Sequence, residues 1–272
     1  MTPESLNPWL VALDIDGTLI SDYGDLNPLT ITEVQRLDRA GHRLTIATGR
    51  SVPMTLPIVT KLGITPEYLV CANGAIVVRR DASDPTGYVR DTVELFDPQR
   101  VLREIHQTIP DAHYAVEDET GLLRYIGWFP ETGVNMQTQK MNSFEELMTN
   151  QATRVVVIAP TSREDYFTDV VEMLGLHKVT YSVGYTSWLD IGPQGVNKST
   201  ALELVRERWK IPRERVMAVG DGRNDVDMLE WAAEFGRGVA MGQAPAEVRA
   251  AANEMTLDES EGGLPSVLAT LE

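Results

Sequence analysis

The chain has 272 residues, of which 43% are hydrophobic and 7% aromatic, and its formal net charge is −16. The length suits one large or two ordinary domains, and the apolar content supports a sizeable core rather than global disorder. The acidity excludes a surface built for nucleic acid or an anionic membrane, although a metal ion and a few basic groups can still reverse the field locally for an anionic ligand.

The single cysteine, Cys71, permits no intramolecular disulfide and suits a reducing compartment, so a cytoplasmic location is expected. It lies in an apolar run and reads as core. Four scattered histidines lack zinc-ligand spacing. No signal peptide and no apolar run near the ~20 residues of a membrane span are evident.

The first element is the short apolar run Trp9-Leu10-Val11-Ala12-Leu13, which reads as a buried parallel strand. It ends in Asp14-Ile15-Asp16-Gly17-Thr18. In extended backbone, residues two apart point the same way, so Asp14 and Asp16 can face one spot. Paired carboxylates are costly there unless a cation lies between them or one carries a proton. A plain polar turn is the competing reading. A loop over 21–28 and a helix over 30–40 follow, with Val34 and Leu37 inward.

A second strand over 43–47 ends in Thr48-Gly49-Arg50, and a helix starts near Pro53. A third strand over 68–72 ends in Asn73-Gly74, a hairpin signal before a strand over 76–78. Strand and helix alternate to this point, which predicts a parallel sheet. From Asp81 the character changes. Residues 81–87 read as a polar linker, followed by a helix over 98–109 and strands over 113–117 and 122–129. A helix over 143–148, a strand over 154–159, a helix over 162–174 and strands over 179–183 and 187–191 complete this part. The first pattern then resumes. Asn197 caps a helix over 198–209, and a strand over 216–219 runs into Gly220-Asp221-Gly222-Arg223-Asn224-Asp225. A helix with Met228, Leu229 and Ala232 inward, a strand over 238–241, a helix over 245–252, a short strand over 254–256 and a helix over 263–271 close the chain. The organisation expected is an α/β core from residues 1–80 and 193–272, interrupted by an α+β insert over 81–192.

Ligands of open parallel sheets bind outside the carboxyl ends of the strands. If these ends meet, Asp14, Asp16, Asp221 and Asp225 supply four carboxylates, Lys198 an ammonium and Thr48 a hydroxyl. Oxygen ligands in that number favour Mg²⁺, and amides at strand-to-helix turns favour phosphate. Each piece alone has a plainer reading as turn, cap or surface chemistry. Lys198 is the more telling one, because a cation in the first turn of a helix opposes its dipole unless an anion faces it. Neither a P-loop nor a GxGxxG fingerprint is present, and Asp14-x-Asp16 lacks the later ligands of an EF-hand.

Together these residues resemble the haloacid dehalogenase superfamily of phosphohydrolases. Asp14-Ile15-Asp16-Gly17-Thr18 is similar to its DxDGT motif, Thr48 to its second-motif hydroxyl, Lys198 to its third motif and Gly220–Asp225 to its GDGxND motif. The insert and Val239-Ala240-Met241-Gly242-Gln243-Ala244 resemble the Cof-type branch, with its α/β cap. Asn197 departs from the Ser or Asp found before the lysine in many relatives.

The resemblance implies a doubly wound core with an inserted cap and a Mg²⁺-dependent phosphatase of small phosphorylated metabolites. It implies Asp14 as nucleophile through an aspartyl-phosphate and Asp16 as acid and base. Asp14, the carbonyl of Asp16, Asp221 and Asp225 would serve the metal. Thr48, Gly49, Lys198 and Asn224 would bind phosphate, and Arg50, Asn73 and Gly74 would line the substrate side. A sugar phosphomutase on the same scaffold and a non-catalytic phosphometabolite sensor are the alternatives, the latter disfavoured by the intact acid pair. A monomer or small homo-oligomer is expected.

Overall fold

The computed structural model describes residues 7–21, 24–129, 137–148, 151–158, 179–183 and 188–272. Strand β1 (Leu10–Leu13) is buried along its whole length and lies between β2 (Arg43–Ile46) and β12 (Val216–Gly220), parallel to both. Strands β13 (Arg237–Ala240) and β14 (Glu254–Met255) extend the sheet in the order β14-β13-β12-β1-β2. Alternate residues of one strand feed opposite faces. Val11 and Leu13 join one apolar cluster, and Leu10 and Ala12 the other.

Helices cover both faces. Helices α1 (Pro28–Arg39) and α2 (Val52–Leu62) bury Val34, Leu37, Ile58, Val59 and Leu62 in the first cluster. Helices α4 (Lys198–Trp209), α5 (Val226–Ala233) and α6 (Ala246–Ala251) bury Leu202, Val205, Met228, Leu229 and Val248 in the second. The last helix, α7 (Gly263–Leu268), returns to the first face. The core is thus doubly wound, as expected. Both faces of β1 being apolar explains its continuous hydrophobic run.

Strand β3 (Tyr68–Cys71) lies beside β2 through a parallel bridge between Ala47 and Val70. It then pairs antiparallel with β4 (Ile76–Arg80). Their connection is wider than a two-residue Asn-Gly turn. A 3₁₀ turn spans Ala72–Gly74, with Ala72 and Asn73 both left-handed at φ 50° and 51°. Residues 81–87 are not a linker. They form the loop of a second hairpin, from which β5 (Tyr88–Val93) returns along β4. The side chains of Ser83 and Thr86 fold that loop onto Asp81 and Asp84.

A separate six-stranded sheet has the order β10-β11-β9-β6-β7-β8. Its strands are β6 (His113–Glu117), β7 (Leu123–Ile126), β8 (Thr138–Lys140), β9 (Arg154–Ile158), β10 (Val179–Val183) and β11 (Trp188–Pro193). Helix α3 (Gln99–Thr108) buries Val101, Leu102 and Ile105 against one face. The segment expected as a helix over 143–148 is a 3₁₀ turn, Phe144–Leu147. The helix expected over 162–174 lies outside the described residues.

Candidate active site

The strand order β12-β1-β2 sets three chemically unusual strand ends side by side. Asp14 follows β1, and its N–H donates to the Val219 carbonyl at 3.0 Å, which extends the ladder with β12 by one residue. Asp14 is 4% exposed. Asp221 follows β12 and is 3% exposed, and Asp225 is wholly buried four residues on. One carboxylate oxygen from each of the three lies within 4.8 Å of the others.

Lys198, the first residue of α4, is also wholly buried. Its Nζ donates to Asp14 Oδ1 at 2.7 Å and to Asp225 Oδ1 at 2.6 Å. The helix start is secured by reciprocal capping. The Thr200 N–H donates to Asn197 Oδ1 and the Asn197 N–H to Thr200 Oγ1, so Asn at this position serves as well as Ser or Asp. The other oxygen of Asp225 accepts from the N–H groups of Asp221 and Gly222 at 3.0 and 2.9 Å, which ties the Gly220–Asp225 turn together. Thr18 Oγ1 donates to Asp221 Oδ1 at 3.2 Å.

Packing allows nothing larger at Gly17. Its φ is +75°, and a Cβ there would fall 2.2 Å from Asp221 Oδ2. Gln243, in the Val239–Ala244 segment and without a role expected from the sequence, donates from Nε2 to the Gly17 carbonyl at 2.5 Å and steadies the same turn.

The electrostatics follow from this crowding. Burial, then the negative charge of Asp225, holds the Asp14 carboxyl well above its usual range, against the pull of Lys198. Burial and Asp225 push Asp221 up to about 7, against the Thr18 hydroxyl. Burial alone would lower the Lys198 ammonium, but Asp14 and Asp225 outweigh it and the net shift is upward. Three buried carboxylates therefore face one ammonium, which leaves negative charge unmatched. An all-oxygen donor set with surplus negative charge fits a hard divalent cation.

Asp16 does not join this cluster. The strand ends at Leu13, Ile15 is buried between the two acids, and the backbone has left extended geometry before Asp16. The Asp16 carboxylate is instead held by Arg50 through Nε at 2.9 Å and Nη2 at 2.5 Å. A cavity of about 210 Å³ opens there, lined by Asp16, Gly17, Arg50 and Asp221 among others.

The remaining candidates converge on the loop after β2. Thr48 is wholly buried, and its Oγ1 accepts the Arg50 N–H at 3.1 Å, which leaves the hydroxyl proton to donate. The Thr48 carbonyl accepts from Asn73 N–H and the Arg50 carbonyl from Ala72 N–H, so the strained turn after β3 is bonded to this loop. Asn224 Nδ2 donates to Asn73 Oδ1 at 3.0 Å, and a Cβ at Gly49 would come within 3.1 Å of that oxygen. Gly74, at φ +98°, packs so close to the Asn197 carbonyl that a Cβ would lie 2.1 Å from it. Thr48, Gly49, Arg50, Asn73 and Asn224 are thus linked to one another, and Gly74 packs against the backbone at Asn197 and Lys198.

Known proteins resemble the chain along most of its length. A model of haloacid dehalogenase-like hydrolases matches residues 11–268. The chain is 29% identical over 274 residues to the 5-amino-6-(5-phospho-D-ribitylamino)uracil phosphatase YitU of Bacillus subtilis, with 96% of each chain covered. It is 26% identical over 247 residues to the HMP-PP phosphatase of Serratia proteamaculans, with 86% of this chain and 84% of that one covered. The solved structure of a HAD subclass IIB sugar phosphatase superposes with a TM-score of 0.78 at 21% identity, covering 96% of this chain and 98% of that one, a likeness of fold.

Proposed function

The chain belongs to the haloacid dehalogenase-like hydrolases, and we propose that it is a Mg²⁺-dependent phosphatase that hydrolyses phosphate monoesters of small metabolites through an aspartyl-phosphate on Asp14. The observation that carries this reading is the buried cluster of Asp14, Asp221, Asp225 and Lys198 at adjacent strand ends, which reaches a cavity lined by Asp16 and Arg50 through Asp221. The curated relatives are named as phosphatases of an aminouracil phosphate and of HMP-PP, which favours water over a sugar hydroxyl as the phosphoryl acceptor.

In the proposed reaction a carboxylate oxygen of Asp14 attacks phosphorus. An oxygen–phosphorus bond forms as the bond to the leaving oxygen breaks. Asp16 gives its proton to that leaving oxygen. Water then attacks the same phosphorus and loses a proton to Asp16. The bond to Asp14 breaks, inorganic phosphate departs and the Asp14 carboxylate is restored. To act so, Asp16 must give up its pair with Arg50. Thr48 donates its hydroxyl proton, Lys198 its third N–H, and Gly49 and Asn224 their N–H groups to phosphoryl oxygens as charge shifts onto them. Arg50, Asn73 and Gly74 line the substrate side. Asp14, Asp221, Asp225 and the Asp16 carbonyl would hold the Mg²⁺, which when bound supplies positive charge against the carboxylates and the phosphate dianion. The six-stranded sheet, within the 81–192 insert, is the cap that selects the leaving group, over a core formed by 1–80 and 193–272 to which β5 of the insert adds a strand along β4. The enzyme works in the cytoplasm, where Cys71 stays reduced.

The test is release of inorganic phosphate from a panel of sugar phosphates, phosphorylated cofactors and nucleotides, with Mg²⁺ and then with EDTA. Metal-dependent release from some of them, lost in Asp14→Asn, is the expected result. Release that persists in Asp14→Asn, or none from any compound by the folded protein with Mg²⁺, would overturn the reading.

A further inference from the structure

Among the described residues two lysine or arginine side chains are buried, and the reaction proposed above uses only one of them. The other is Arg154, 3% exposed, the first residue of β9 in the six-stranded sheet. It lies directly across from Glu117 on β6, and its Nε donates to Glu117 Oε2 at 2.7 Å. Glu117 is wholly buried, and Thr153 packs down on its carbonyl with both its N–H, at 2.9 Å, and its Oγ1, at 3.2 Å. Asp190 of β11 stands 3.7 Å from Arg154 Nη1.

The arginine also leaves its own sheet. Its Nη1 donates to the Gly49 carbonyl at 3.0 Å, across 105 residues of sequence. Gly49 lies between Thr48, whose hydroxyl is proposed above to serve the phosphoryl oxygens, and Arg50, whose guanidinium holds Asp16. A hydrogen bond from the inserted sheet therefore ends on the backbone of the loop that carries both.

Stability does not account for the pair. Taking an arginine and a glutamate out of water is expensive, and apolar residues of similar volume often do as well or better. Glu117 Oε1 has no hydrogen-bond partner among the described residues, so the network is not even fully satisfied. A planar guanidinium does something apolar residues cannot. One edge is fixed by a carboxylate while another N–H is aimed at a second acceptor in a set direction.

We infer that Arg154 is a positioning residue: anchored by Glu117, it holds the Gly49 carbonyl and thereby ties the placement of Thr48 and Arg50 to the seating of the six-stranded sheet. This rests on the phosphatase reading above. A lysine at 154 keeps the charge near Glu117 but lacks the fork that serves both partners. The loop then loses its tether while the buried carboxylate stays paired.

The experiment measures hydrolysis of p-nitrophenyl phosphate with Mg²⁺ in the full chain, together with melting temperature. Arg154→Lys and the charge-free double variant Glu117→Gln/Arg154→Gln are each expected to lower kcat roughly 10- to 100-fold, with KM moving less. Their melting temperatures should stay well above the assay temperature. Because Arg154 acts through the loop, Thr48→Val/Arg154→Lys should lose scarcely more than Thr48→Val alone. Losses that multiply, wild-type kcat in both Arg154 variants, or variants that unfold below the assay temperature would each overturn the inference. Wild-type protein that hydrolyses no substrate overturns the phosphatase reading itself, a result separate from these.

Discussion

Lys198 and Arg154 are both cations buried among carboxylates, yet their surroundings differ in one respect. Lys198 faces three buried acids, Asp14, Asp221 and Asp225, at the ends of parallel strands. Arg154 is matched with Glu117, has Asp190 further off, and spends a further donor on a backbone carbonyl of another sheet. The first cluster carries surplus negative charge, which protonation relieves at low pH and a bound cation can offset above it. The second sets Glu117 and the more distant Asp190 against one guanidinium, a smaller surplus than the first. Unmatched buried charge therefore marks where chemistry is expected, and matched buried charge marks where geometry is held.

The largest effect should come from Asp14→Asn. It removes the nucleophile while keeping the side-chain shape and the Lys198–Asp225 pair. Phosphate release should fall by roughly three orders of magnitude or more. The fold should persist, because the change relieves repulsion in the cluster. A variant that loses turnover only by unfolding, seen as a collapsed thermal melt, would remove the nucleophile assignment.

Next comes a direct contrast between the cations. Lys198→Met and Arg154→Met each strand buried carboxylate, and each should cost about 3–5 kcal/mol in urea unfolding without metal. Mg²⁺ should restore much of the loss in Lys198→Met and almost none in Arg154→Met. Equal rescue of both would erase the distinction drawn here.

The pH dependence sharpens the same point. Asp221 is pushed up to about 7 by burial and then by Asp225, and Asp14 is raised by the same two causes. A carboxyl whose folded pKa is raised favours folding in its protonated form. That contribution is whole below the usual carboxylate range, near pH 4, and is lost as pH rises through about 7. Metal-free protein should therefore lose stability across that window. Mg²⁺ needs the ionised carboxylates, so its stabilising shift in melting temperature should grow from pH 5 to pH 8. A shift that is the same at both pH values would count against this cluster as the metal site.

How much of this could be read from the chain depended on where each partner lies. Lys198 was legible because a cation at a helix start contradicts the local dipole, and Asn197 before it marks the start clearly. Asp14 and Asp221 were legible because a buried strand that ends in acid is unusual within a few residues. The alternation rule misplaced Asp16, since it holds only while the backbone stays extended and β1 stops at Leu13. Strand β5 carries no clear strand signal because Arg90 and Asp91 break its apolar pattern on a half-exposed hairpin, and β8 is the wholly polar Thr-Gln-Lys. Arg154 looked like any charged residue that opens an apolar strand. Its partners are 37 and 105 residues away, and no local pattern carries that information.

The smallest expected effect uses Cys71 as a reporter between the two clusters. It ends β3, is wholly buried, and lies near enough to Glu117 and Arg154 for their charges to act on it. Burial pushes its thiol up to about 12, partly offset by a hydrogen bond to Thr55 Oγ1. Thiolate is the reactive form, so native protein at pH 8 should resist iodoacetamide over hours while unfolded protein reacts. If Arg154 only sets the direction of the Gly49 loop, Arg154→Lys should leave Cys71 equally protected even as kcat falls. Labelling that rises in step with the loss of activity would mean the substitution opens the junction between the sheets, and the fall in rate would then report unfolding of that junction instead of a misplaced Thr48.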